Sequence, residues 1–193
     1  MLEQDVIVTT KYGRMPTFAV CPDGPGQYPG IIFYMDAPGI REELRNMARR
    51  IARAGYFCLL PDMYYRVGTV RLDMHRRDET MMAVMFAAMN SLTNAKVMDD
   101  TAGLLAFLDA QDKAKPGPAG CVGYCMSGQH ITNAAAFYPH RIASAASLYG
   151  VGIITDKEDS PHLFLDRIKG ELGVVLRYPD YRAGLAALLP AGE

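Results

Sequence analysis

One stretch of the chain, Cys121-Val122-Gly123-Tyr124-Cys125-Met126-Ser127-Gly128-Gln129-His130, sets a thiol among small residues where a strand-like run gives way to the helical spacing of Ile131, Ala134 and Ala135. A nucleophile presented on a sharp strand-to-helix turn takes strained dihedrals, so its neighbours at minus two and near plus two must be small. Gly123, Ser127 and Gly128 meet that requirement around Cys125. The chemistry this suits is acyl transfer at the carboxyl end of a sheet. The first amides of the following helix favour a thiolate, and that of Met126 offers a donor to an oxyanion. The competing reading is a small core hydrophobe, which suits Cys58 and Cys121 inside their apolar runs. Ser127 is read as a spacer, because the residue two before it is Cys125 and not glycine.

The elements that would position this turn follow from the hydrophobic pattern. Short β-rich runs alternate with longer helical ones, which predicts an α/β chain with helices on a sheet. Residues 6–10 and 17–20 read as an edge hairpin, and residues 30–35 as a strand buried on both faces. Leu44, Met47, Ala48, Ile51 and Ala52 form one face of a helix that Gly55 stops, and residues 56–60 return as a parallel strand. Met81, Met82, Met85, Phe86 and Met89 mark a helix whose stripe reads as core before it reads as a pocket lining. Val97, Thr101, Leu104, Leu105 and Leu108 mark the next helix, ended by Lys115-Pro116-Gly117-Pro118. Residues 120–124, 143–149 and 173–178 read as the remaining strands.

Composition sets the outer limits. A chain of 193 residues, 50% hydrophobic and 21% charged, suits one domain with a single core and excludes a disordered chain, a collagen or a coiled coil. Twenty basic against 21 acidic residues leave a net charge of −1, so no global field draws it to nucleic acid. The four cysteines form no C-x-x-C pair, which argues against a zinc site or a disulfide framework and for reduced thiols. No apolar run approaches a membrane span and the first residues lack signal-peptide character, so a cytoplasmic protein without membrane partners is expected.

The Gly123-Tyr124-Cys125-Met126-Ser127-Gly128 segment resembles the cysteine elbow of the dienelactone hydrolase family of α/β-hydrolases. Pro61-Asp62-Met63-Tyr64 is similar to its P-D-L-Y segment, and Met35-Asp36-Ala37-Pro38-Gly39 to its Q-E-I-F-G loop. Ser160-Pro161-His162 and Asp166-Arg167-Ile168-Lys169-Gly170-Glu171-Leu172 resemble one branch of that family. The likeness covers residues 1 to about 172 of one domain, with 173–193 an atypical tail. It implies an α/β-hydrolase-like, mostly parallel sheet flanked by helices. It also implies hydrolysis of small carboxylic esters or lactones through a cysteine, with no metal or organic cofactor. Carried over by position, Cys125 is the nucleophile and the Ala37 and Met126 amides form the oxyanion hole. Asp180 stands where the triad aspartate falls. Asp36 replaces a glutamate that contacts the resting thiol, or else caps the turn running to Arg41. Arg76 and Arg77, with Arg66 and Arg71, are candidates to hold a substrate carboxylate, against a plain solvated loop.

The chain departs from the family pattern at its histidine as well as at Asp36. The family's histidine follows its aspartate, whereas His75, His130, His140 and His162 all precede Asp180. The expectation is a fold truncated at its C-terminal end, with tail leucines or a homodimer covering the exposed apolar surface. The alternative to a working hydrolase is an impaired relative that binds a ligand or partner; a third reading is an oxidation-sensitive thiol at Cys125.

Overall fold

The computed structural model describes residues 1–76 and 78–175. Among these residues seven strands form one sheet in the order β1-β2-β4-β3-β5-β6-β7. They are β1 (Leu2–Thr10), β2 (Gly13–Cys21), β3 (Gly30–Tyr34), β4 (Phe57–Pro61), β5 (Ala119–Tyr124), β6 (Ile142–Leu148) and β7 (Glu171–Val175). The β1–β2 and β2–β4 pairs are antiparallel and every other pair is parallel. The continuous apolar runs mark the middle of this sheet: all of β4 is buried, as is β3 apart from Ile31, because helices cover them.

The edge hairpin is longer than its apolar residues suggest. It pairs from Leu2↔Cys21 to Thr10↔Gly13, taking in Glu3, Gln4 and Asp5, whose polar side chains suit an open edge. At the other side β6 stops one residue early, since Tyr149 turns to a φ of 54° and leaves the strand. Strand β7 begins at Glu171, two residues before the apolar pattern does.

Helix α1 (Glu42–Arg53) buries Leu44, Ala48 and Ala52 and ends before Gly55, whose φ of 97° only glycine takes without strain. Helix α2 (Glu79–Asn90) starts with the Asp78 carboxylate accepting the Met81 amide. Its methionine stripe is only partly core: Met85 and Ala88 are buried, while Val84 and Phe86 remain exposed. Helix α3 (Asn94–Asp109) is tied to β3 by the buried Tyr34 hydroxyl, 2.7 Å from Thr101 Oγ1, which in turn donates to the Val97 carbonyl. Helix α4 (Gly128–Phe137) lies on β5 and β6 and against α3.

Candidate active site

Strand β5 delivers Cys125 one residue past its end, with a φ of 53°. A left-handed conformation costs a non-glycine residue about 1–2 kcal/mol, so the surroundings must impose it. They do so with small residues. A Cβ on Gly123 would lie 2.8 Å from the Tyr34 carbonyl oxygen and 3.0 Å from Ser127 Cβ. A Cβ on Gly128 would collide with the Gly150 backbone. The Cys125 carbonyl accepts the Val151 amide at 2.8 Å, and the buried Ser127 hydroxyl donates to the Met35 carbonyl. The backbone of the turn is therefore fixed on both sides while the Cys125 side chain stands exposed. Cys21, Cys58 and Cys121 are buried, and desolvation pushes the Cys58 and Cys121 thiols far above the usual range.

Residues 125–127 form a single 3-10 turn leading into α4. The amides at the start of such a turn precede the first intrahelical bond, which here runs from the Gly128 amide to the Cys125 carbonyl. Met126 is one of them. Ala37 sits on the loop after β3, and its amide donates to no group among the described residues. That loop closes on itself through the Gly39 amide to the Asp36 carbonyl at 3.0 Å, with Gly39 at a φ of 81°. Asp36 accepts both terminal nitrogens of Arg41, at 2.5 and 2.7 Å. Among the described residues no other group donates to the Asp36 carboxylate. The pairing in turn raises the Arg41 pKa, first by hydrogen bonding and then by charge.

Among the described residues the Cys125 sulfur accepts and donates no hydrogen bond, and no histidine is bonded to it. His130 is buried on α4; desolvation holds its pKa down at about 3, and its Nδ1 has no partner among the described residues. His162 pairs its Nδ1 with the Ser160 hydroxyl at 2.8 Å, while His75 and His140 are exposed. Arg66 is paired with Asp100 at 2.6 Å and with the Tyr65 hydroxyl at 2.8 Å. Arg71 borders a cleft of about 400 Å3, with Arg41 and Asp62 on other walls. Arg76 is exposed; Arg77 and Asp180 lie outside the described residues.

Tyr64, which the sequence presents only as the last residue of a motif, is nearly fully buried beside both loops. Its hydroxyl donates to the Ala37 carbonyl at 2.7 Å and lies 3.4 Å from Met126 Sδ. No group of three or more His, Cys, Asp or Glu side chains among the described residues is placed to hold a metal ion. No described helix is long and apolar enough to cross a membrane.

The geometry can be set beside known proteins. The crystal structure of a Klebsiella pneumoniae protein, named "Putative Dienelactone Hydrolase", superposes with a TM-score of 0.78 over 97% of this chain and 80% of its own, at 18% identity. That likeness concerns the fold. A Methylorubrum extorquens protein named "Putative carboxymethylenebutenolidase" is 25% identical over 150 residues, covering 78% of this chain and 50% of its own length. A Synechocystis protein of the same name is 25% identical over 164 residues, 61% of its length. The chain thus spans between half and two thirds of these curated relatives. The sequence model of the dienelactone hydrolase family matches residues 15–173, which include β5, its exposed cysteine and the loop after β3, and the chain belongs to that family.

Proposed function

We propose that the protein hydrolyses small carboxylic esters or lactones through a thioester on Cys125. The observation that carries this reading is the exposed thiol held at a positive φ at the carboxyl end of β5. In the first step the sulfur bonds to the ester carbonyl carbon, and the carbonyl π pair moves onto oxygen, where the Ala37 and Met126 amides receive it. The carbon–oxygen single bond then breaks and the alcohol leaves with the thiol's proton. Water adds to the thioester next, releasing the acid and returning a proton to sulfur. Asp180 is the proposed aspartate of the site, and Arg76 and Arg77 are the proposed contacts for a charged substrate. Release of nitrophenol from nitrophenyl acetate tests the reading: Cys125→Ala should lower the rate to background, and an unchanged rate would remove Cys125 as nucleophile.

A second reading rests on the Cys125 sulfur having no hydrogen-bond partner among the described residues, since an unassisted thiol is a slow acyl acceptor. It takes the protein as an impaired relative that binds a ligand or partner. Turnover well above background and lost on alkylating Cys125 would dismiss it.

A further inference from the structure

The two amides of the proposed oxyanion hole belong to different segments, one following β3 and one following β5. The sheet pairs these strands only as far as Tyr34↔Gly123, so Ala37 and Met126 must be registered by contacts beyond the sheet. Ser127 supplies one, to the Met35 carbonyl. The other comes from a third segment, after β4, the strand on the opposite side of β3. We propose that Tyr64 is the positioning residue of the oxyanion hole, its hydroxyl clamping the Ala37 loop against the Met126 turn; this rests on the reading of Cys125 as an acyl acceptor.

Each end of the clamp is fixed. The Tyr64 hydroxyl has one proton, which goes to the Ala37 carbonyl at 2.7 Å, while Met126 Sδ at 3.4 Å is the weaker acceptor. Its own amide donates to Asp62 Oδ1 at 3.0 Å. Its ring lies under Gly39, where a Cβ would stand 3.4 Å from two ring carbons. With 1% of its surface exposed, the side chain has no second place to go. Burial, with Asp36 and Asp62 nearby, raises the phenol pKa far above its usual value, so Tyr64 keeps its proton and serves as donor and not as base. Oxyanion donors act only when aimed at the position the charge will occupy, about 2.7–3.1 Å away, so loosening this loop weakens transition-state binding more than substrate binding.

Tyr64→Phe removes the clamp's proton and little else. The expected result is about a tenfold lower kcat on nitrophenyl acetate with KM changed less than about twofold. A short aliphatic aldehyde gives a readout without turnover. Sulfur bonds to its carbon, the carbonyl π pair goes to oxygen, and that oxygen takes the thiol's proton while occupying the oxyanion position. Its affinity should fall in step with kcat, while iodoacetamide alkylates Cys125 at the wild-type rate and the melting temperature stays close to wild type. Asp62→Ala, which frees the Tyr64 backbone, should move the same quantities less far in the same direction. Aldehyde affinity unchanged in both variants would overturn the proposal, as would a fall matched by slower alkylation. If the wild type shows no ester turnover, the hydrolase reading fails, and the aldehyde series decides the clamp alone.

Discussion

Cys121 lies inside β5 with 3% of its surface exposed and its Sγ 3.9 Å from the Ile131 carbonyl, whereas Cys125, just past the end of the same strand, is exposed and left-handed. At Cys121 it is the side chain that is packed, and the backbone is ordinary strand. At Cys125 the reverse holds: the backbone is gripped by Val151, Gly123 and the Gly128–Gly150 approach, and the side chain is left outside. An accessible thiol is made here by close backbone packing around it and not by a gap in the core.

The largest expected contrast is chemical. Iodoacetamide applied to the native protein should label Cys125, while Cys58 and Cys121 react only through unfolding, at least about a thousandfold more slowly for a domain of ordinary stability. Peptide mass spectrometry with time reads each site; native labelling of Cys121 at a rate near that of Cys125 would erase the contrast.

Next in size is the grip itself. Gly128→Ala drives a Cβ into the Gly150 backbone, which cannot rotate away, and should cost about 3 kcal/mol in urea unfolding. Gly26→Ala, where a Cβ meets nothing within 4 Å, is the control and should stay within about 0.5 kcal/mol. Equal stability of the two variants would mean the elbow is not held by that contact.

His130, on the helix that leaves the elbow, extends the comparison, because like Cys121 it is buried and not presented. Desolvation lowers its pKa from 6.5 to about 3. Between these values the unfolded chain binds a proton that the folded chain refuses. Stability from this group is therefore complete above pH 6.5 and declines as the pH falls towards 3, by at most about 1.4 kcal/mol per unit and by about 2 kcal/mol at pH 5. His130→Leu should flatten the pH dependence of the urea midpoint over that window; an identical slope in both proteins would show that His130 does not carry it.

What the sequence makes legible follows from the range over which each feature is determined. Strands β3 and β4 and helix α1 are readable because burial on both faces, or on one helical stripe, is written in consecutive residues. The reach of β1 and β2 is not, since edge pairing is made by backbone and admits polar side chains such as Glu3 and Gln4. The same division runs through the site. Cys125, Gly123 and Gly128 stand together in the sequence and announce a turn. Gly150, which packs on Gly128, and Tyr64, which bonds the Ala37 loop, act across long separations, and nothing local marks them. Asp36 falls between these cases: Arg41 is one loop away, yet nothing in that spacing picks the bidentate pair over the other partners a loop carboxylate could take.

The smallest effect separates strain from side chain at the elbow. At a φ of 53°, any Cβ incurs about 1–2 kcal/mol that glycine avoids, while glycine loses about 0.5–1 kcal/mol through the greater freedom of the unfolded chain. Cys125→Gly should therefore be more stable than the wild type by roughly 0.5–1 kcal/mol, and Cys125→Ala, which keeps its Cβ, should be close to neutral. At Cys121 the order inverts. Alanine there empties a buried site at a cost of about 1 kcal/mol, and glycine adds strand entropy to that loss. Urea midpoints of the four variants measure both orders at once. If Cys125→Gly proves less stable than Cys125→Ala, the tip of β5 holds its cysteine without strain, and the tight packing of Gly128 on Gly150 must be explained by something other than forcing that conformation.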